Sequence, residues 1–236
     1  MLKSTGSSDL FFLKTHGYQF GEEAIKFGLS KAQRGGETLA CKIVALTKKS
    51  QKKFKIDVER FEILKNLSGS YHPHVISIHS IVHHGDLTFI FIPWLDDGNL
   101  LDHIRKNGMV AELQAKKWFH QIICGVSHIH SMNYAHFNLS LESIMMSKTS
   151  VKISGLHKIV NGTKNPEKVK QVSAAYYLPP EVISNQEQID AKKVDVYALG
   201  VILFVMLNEK FPFIYSDKKK LLEDQTAAVT LYELPT

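Results

Sequence analysis

Residues 135–144 read AHFNLSLESI, and a spaced frame of His136, Leu139 and Ile144 runs through them. On the N-terminal side lies LQAKKWFHQIICGVSHIHSM (residues 113–132), whose apolar residues follow the spacing of an amphipathic helix. On the C-terminal side, SIMM (143–146) and SVKIS (150–154) read as strand, turn and strand. The stretch is therefore a loop with a packing frame. Between the frame positions stand Phe137, Asn138, Ser140 and Ser143, all of them neutral.

Composition sets the outer limits. A chain of 236 residues, 44% hydrophobic, can bury one substantial core or two smaller ones packed closely. The net charge is +6 and the pI about 9.1. The lysines gather in KKSQKKFK (Lys48–Lys55) and DKKK (Asp217–Lys220). With Phe54 the one aromatic residue among them, these runs read as solvated faces and not as a nucleic-acid platform. Cys41 and Cys124 each sit in an apolar run, which predicts buried, reduced thiols in a cytoplasmic protein. MLKSTGSSDLFFLK has too short an apolar block for a secretory signal. The longest apolar run, Val196–Leu207, falls short of a bilayer span and predicts a buried helix, so no membrane partner is expected.

Working outward, residues 17–46 alternate strand-like blocks with turn signals: GYQFG, AIKFGLS, a turn at Arg34-Gly35-Gly36, then TLACKIVAL. Residues 52–67 carry Phe54, Val58, Phe61, Ile63, Leu64 and Leu67 at helical spacing. HPHVISIHSIV and DLTFIFI add two strands around His83-His84-Gly85-Asp86. After Pro93–Gly98, helices dominate: LLDHIRKN, the helix before the loop, and VDVYALGVILFVMLN. The expected class is α+β, with residues 1–94 a five-stranded antiparallel sheet and one main helix, and 95–236 mostly helical.

Taken together, these blocks resemble a eukaryotic protein kinase domain from about His16 to Gln225, most similar to the testis-specific serine/threonine kinases. LKTHGYQFG, WFHQIICGVSHIHSMNYAH and NEKFPFIYSDKKKLLEDQ carry the finer likeness. The resemblance implies a bilobal fold. It makes LACK (39–42) the strand whose Lys42 would hold the α- and β-phosphates. It also places Ala40, Met145, Ile202 and Met206 at or behind an adenine pocket.

Against that pattern the chemistry is missing. GYQFGEEAIKFG lacks the glycine spacing that lets backbone N–H groups approach phosphate, and Glu22 and Glu23 add negative charge there. Arg60 stands where a helix glutamate should pair with Lys42, and the adjacent Glu59 is turned about 100° away. Asn138 replaces the catalytic aspartate, and an amide is a very poor base. Ser143 and Gly155 replace the two metal ligands, and Ser140 the customary lysine. Phe137 replaces the arginine that reads phosphate on the activation segment. Glu142 is the nearest carboxylate a surviving enzyme could recruit.

The framework survives. His136, Leu156 and Leu64 match a hydrophobic column, Asp195 an anchor for the catalytic-loop backbone, and Pro179–Glu181 (PPE) the end of the activation segment. These same residues also read as ordinary core. The resemblance implies further helices after AAVTLYELPT, including an arginine for Glu181. The expectation is therefore a C-lobe lacking its last helices, Glu181 without that partner, and a helix over 196–207 left open on one side. The twelve histidines show no cysteine pairs or converging ligand spacing, so no metal site is expected. The implied function is a pseudokinase that binds proteins, an active kinase or its substrate, as scaffold or allosteric partner in signalling, with sperm development as the setting. It needs no cofactor, and a bound ATP would be held without metal. The alternative is a serine/threonine kinase of weak or atypical ATP-dependent activity.

Overall fold

The computed structural model describes residues 7–21, 30–45, 63–67, 69–85, 87–147, 150–163, 175–213 and 217–231. Residues 22–29 and 51–62 lie outside this set, and with them the shortened glycine loop, Glu59 and Arg60. Two compact units emerge, residues 1–72 with 76–96, and residues 73–75 with 97–236.

The first unit contains helix α1 (Ser7–Thr15), strands β1 (Gln19–Phe20), β2 (Ser30–Arg34), β3 (Glu37–Ala45), β4 (Ser80–His84) and β5 (Leu87–Pro93), and a helix α2 described over 63–67. The strands form one antiparallel sheet in the order β1-β2-β3-β5-β4. Arg34 pairs with Glu37 across Gly35 and Gly36, whose φ angles are 58° and 84°. Two successive positive φ values define a tight turn matched to strand twist, which glycine enters without steric cost. Tyr18, Ala32, Leu39, Cys41, Phe89 and Phe91 form the core of one face, closed by Leu13 of α1. Burial pushes the Cys41 thiol up to about 12, so it stays protonated and inert. Helix α1 is not evident in the sequence, because its apolar block wraps around the axis. Leu13 is buried while Phe11 is 70% exposed.

The expected strand over 72–82 is shorter than its apolar pattern. Pro73–Val75 belong to the second unit, where Val75 bridges Ile153 and the His74 carbonyl accepts Ile153 N–H at 2.8 Å. Ladder pairing begins only at Ser80.

The second unit contains α3 (Leu100–Asn107), α4 (Glu112–Ser131), β6 (Tyr134–Ala135), β7 (Ile144–Ser147), β8 (Ser150–Ile153), β9 (Val160–Asn161), α5 (Pro180–Ile183), α6 (Ala191–Asn208) and α7 (Lys218–Leu231). Asn99 caps α3, its side-chain oxygen accepting Asp102 N–H at 2.9 Å, and Asp190 caps α6 through the N–H groups of Lys192 and Lys193. Helix α4 buries Ala115, Trp118, Ile122, Gly125, Val126 and Ile129. Gly125 is where α4 meets its neighbours most closely. A Cβ there would lie 2.7 Å from Ile153 Cδ1 and 2.8 Å from the His74 carbonyl oxygen. Cys124, expected buried, is only half-buried, with its sulfur 3.7 Å from His120 Nε2 one turn away. Its neighbours on the helix are apolar, but Cys124 itself faces outward. Along α6, Val196, Phe204 and Leu207 are exposed. Among the described residues no helix is long and apolar enough to cross a membrane.

Candidate functional site

The loop 135–144 hangs between β6 and β7 on hydrogen bonds to one buried carboxylate. Asp195, 1% exposed on α6, accepts the Phe137 N–H on Oδ1 at 2.7 Å and the His136 N–H on Oδ2 at 2.8 Å. His130 Nε2 of α4 lies 2.9 Å from the same Oδ2. The last turn of α4 aims His130 at Asp195 of α6, and no sequence signal marks it as part of this group. Carboxylates that receive several N–H donors can remain buried because each lone pair is used.

His136 is wholly buried, and its Nε2 lies 2.7 Å from the Ser154 carbonyl oxygen. That contact fixes the proton on Nε2 and leaves Nδ1 buried with no partner among the described residues. Burial lowers the His136 pKa, opposed by Asp195 and by the Ser154 hydrogen bond, with His130 lowering it further. The ring is neutral and acts as a strut between the loop and the end of β8.

Gly155 follows Ser154 in a left-handed conformation, φ 80° and ψ 17°. A Cβ on Gly155 would stand 3.6 Å from Ser143 Cβ and 3.8 Å from His136 Cε1. The two positions read as former metal ligands therefore meet at one corner beside His136. Ser143 closes a capping turn: its Oγ–H donates to Ser140 O at 2.8 Å while its Oγ accepts Ser140 N–H at 3.0 Å. Its own carbonyl accepts Ser154 N–H at 2.7 Å. Magnesium takes carboxylate, carbonyl and water oxygens in a strict octahedron. Here the serine hydroxyl is spent on the backbone and position 155 offers no side chain. The residues at this corner do not fit a divalent ion.

Around the corner, packing dominates. Phe137 is buried with Ala135, Val182, Ala191 and Val194, and Val160, Leu178 and Ile189 pack against them. Leu139 and Leu156 are buried, Asn138 and Met145 partly so. Met145 pairs with Lys152 across the β7–β8 hairpin and bridges Asn99. The Tyr177 hydroxyl accepts Leu141 N–H at 3.2 Å, with the Glu142 carboxylate near it. Burial first, then the Glu142 charge, raise the Tyr177 pKa. Glu181 sits half-buried on α5 near Tyr197, whose pKa burial pushes up to about 12. Gln225 of α7 donates to Leu178 O at 2.9 Å and to the Tyr197 hydroxyl at 2.8 Å. Tyr177 and Gln225 were invisible in the sequence because each acts across a long separation along the chain.

In the first unit, Lys42 and Ala40 are two residues apart on β3, so both point to the same face of the sheet. Lys42 stands opposite Ile90 and Ala40 opposite Ile92; Ala40 is buried and Lys42 half-buried. Leu64 is buried within α2.

Comparison with known proteins agrees with this arrangement. Residues 27–234 match the protein kinase domain family. The chain is 30% identical over 190 residues to serine/threonine-protein kinase SAPK5 of Oryza sativa subsp. japonica, covering 79% of this chain and 50% of that protein. It is 29% identical over 186 residues to serine/threonine-protein kinase cds1 of Schizosaccharomyces pombe, covering 76% and 40%. It is 27% identical over 213 residues to NUAK family SNF1-like kinase 1 of Mus musculus, covering 88% and 32%. The chain spans about half or less of the length of these three relatives. A five-stranded antiparallel sheet, a largely helical second unit and a match across most of the sequence lead to one conclusion: this chain belongs to the protein kinase domain family, among relatives that are serine/threonine kinases.

Proposed function

We propose that this chain is a catalytically inactive kinase domain that works by binding another protein, as a scaffold or an allosteric partner in phosphorylation signalling. The observation that carries the reading is the corner formed by Ser143, Gly155 and His136, which presents no carboxylate where the family holds its metal ions. Asn138 adds the loss of the base, which alone costs a kinase about a hundred- to ten-thousand-fold in rate. An active enzyme would have to recruit Glu142, which is exposed at the surface of the loop. The likeness to the testis-specific group supports a role in sperm development, with an active kinase or its substrate as partner.

On this reading the protein requires no cofactor. A nucleotide that binds is held by Lys42, with Ala40 beside it on the same face of β3, and without metal. A thermal-shift titration with ATP, alone and with Mg²⁺ or Mn²⁺, tests the reading. The expected outcome is a melting temperature that metal does not raise further. Metal-dependent phosphotransfer that survives purification and disappears in Lys42→Ala would overturn it.

A further inference from the structure

We infer that one stripe of α6 is a docking surface for a second copy of this chain, the two α6 helices crossing antiparallel about Gly200. Residues 196–208, VYALGVILFVMLN, contain no charged side chain, and a helix apolar on every side belongs inside a core. Yet Lys193, Val196, Gly200, Phe204 and Leu207 are all exposed, Val196 by 60% and Phe204 by 41%. At about 100° per residue these five fall within about 80° of the helix circumference, over about four turns. Exposed apolar area gathered in one stripe marks a surface that meets something.

The order of the five points to the occupant. Val196 and Phe204 stand four residues to either side of Gly200, and Lys193 and Leu207 seven. A stripe with this spacing meets itself across a two-fold axis through its centre, as an isologous dimer requires. Phe204 of each copy then packs on Val196 of the other. The ends match in charge: Asp190 and Lys193 of one copy face Lys210 and Glu209 of the other, and all four are exposed. At the crossing itself, a Cβ on Gly200 would meet no atom within 4 Å among the described residues, whereas one on Gly125 would strike Ile153 and His74. The bare Cα of Gly200 is open space for a second backbone. Pairing through α6 holds whether or not the domain catalyses anything, so it goes beyond the loss of the base and the metal ligands.

Sedimentation velocity on the whole chain, up to about 200 µM, tests the pairing; one helix face per copy is a small interface, so a dissociation constant on the order of 10 µM is expected. Phe204→Glu should weaken self-association tenfold or more with the far-UV circular dichroism unchanged. Leu207→Glu serves the same purpose should Phe204→Glu fail to fold. Cysteine crosslinking in a Cys124→Ser background reads the geometry. Val196→Cys mixed with Phe204→Cys should crosslink several times faster than either variant alone, because the axis brings 196 against 204. A chain that stays monomeric at 200 µM would overturn the inference and leave the stripe to a different protein or to the chain's own residues. Self-association that neither glutamate variant weakens places the contact on another surface, and equal crosslinking of the mixture and the single variants refutes the antiparallel crossing.

Discussion

Two sets of atoms meet the loop at His136. On one side the Asp195 carboxylate receives two backbone N–H groups and the His130 ring, all within 2.9 Å. On the other, Ser143 turns its hydroxyl back onto Ser140, and Gly155 presents a bare Cα. The first set is a buried polar network; the second presents a serine hydroxyl spent on the backbone and no side-chain carboxylate. The difference follows from what each set does for folding. Removing Asp195 would strand buried donors whether or not the protein catalyses anything. Metal-ligand carboxylates work the other way: without their cation they repel one another and lose hydration.

The largest test of that contrast removes the carboxylate. Asp195→Ala is expected to cost about 3–5 kcal/mol in urea unfolding, since it orphans the His136 and Phe137 N–H groups. Asp195→Asn should recover a part, because one acceptor remains. A loss under about 1 kcal/mol would show that the loop does not hang on this group. Next in size is restoration on the other side. Gly155→Asp places a side chain on a left-handed residue and should lower stability by about 1 kcal/mol. Neither this change nor Asn138→Asp alone should raise phosphotransfer above background, as Ser143 still lacks an amide or carboxylate. Measurable activity from either single change would mean that the corner is closer to catalysis than its donors suggest.

The smallest effect reports on the strut between the two sides. Burial depresses the His136 pKa below its ordinary 6.5, so between the two values the unfolded chain binds the extra proton. Stability contributed by the neutral ring is therefore full above about pH 6.5 and lost as pH falls below it, by at most about 1.4 kcal/mol per pH unit for one proton. His136→Asn can still donate to Ser154 and should flatten the melting-temperature slope between pH 7 and 5. An identical slope in the variant would assign the acid sensitivity to other groups.

Much of this was legible along the chain. The Gly35-Gly36 turn, the helices over 100–107 and 112–131, and the β7–β8 hairpin all follow from local periodicity and turn chemistry. Elsewhere a local pattern misleads. The apolar run over 72–82 looks like one strand, yet Pro73–Val75 belong to the second unit, where Val75 bridges Ile153, and nothing in their spacing names that partner. Helix α1 is not legible because Leu13, its one fully buried side chain among the described residues, follows Leu10, Phe11 and Phe12 in an unbroken apolar block with no repeating face. Cys124 lay in an apolar run and still turned outward, since helix rotation decides burial residue by residue.

By itself, the sequence determined which groups stand in the loop: Asn138, Ser143 and Gly155 carry no base and no anionic ligand wherever they are placed, because side-chain chemistry does not depend on the fold. Only the tertiary structure decided what those residues do instead. It turned Ser143 into a cap, added His130 to Asp195 and seated Phe137 in an apolar cluster. Each of these contacts joins positions, or picks one partner among several, through packing across the chain, and hydrogen bonds and buried surface are settled by distance in space.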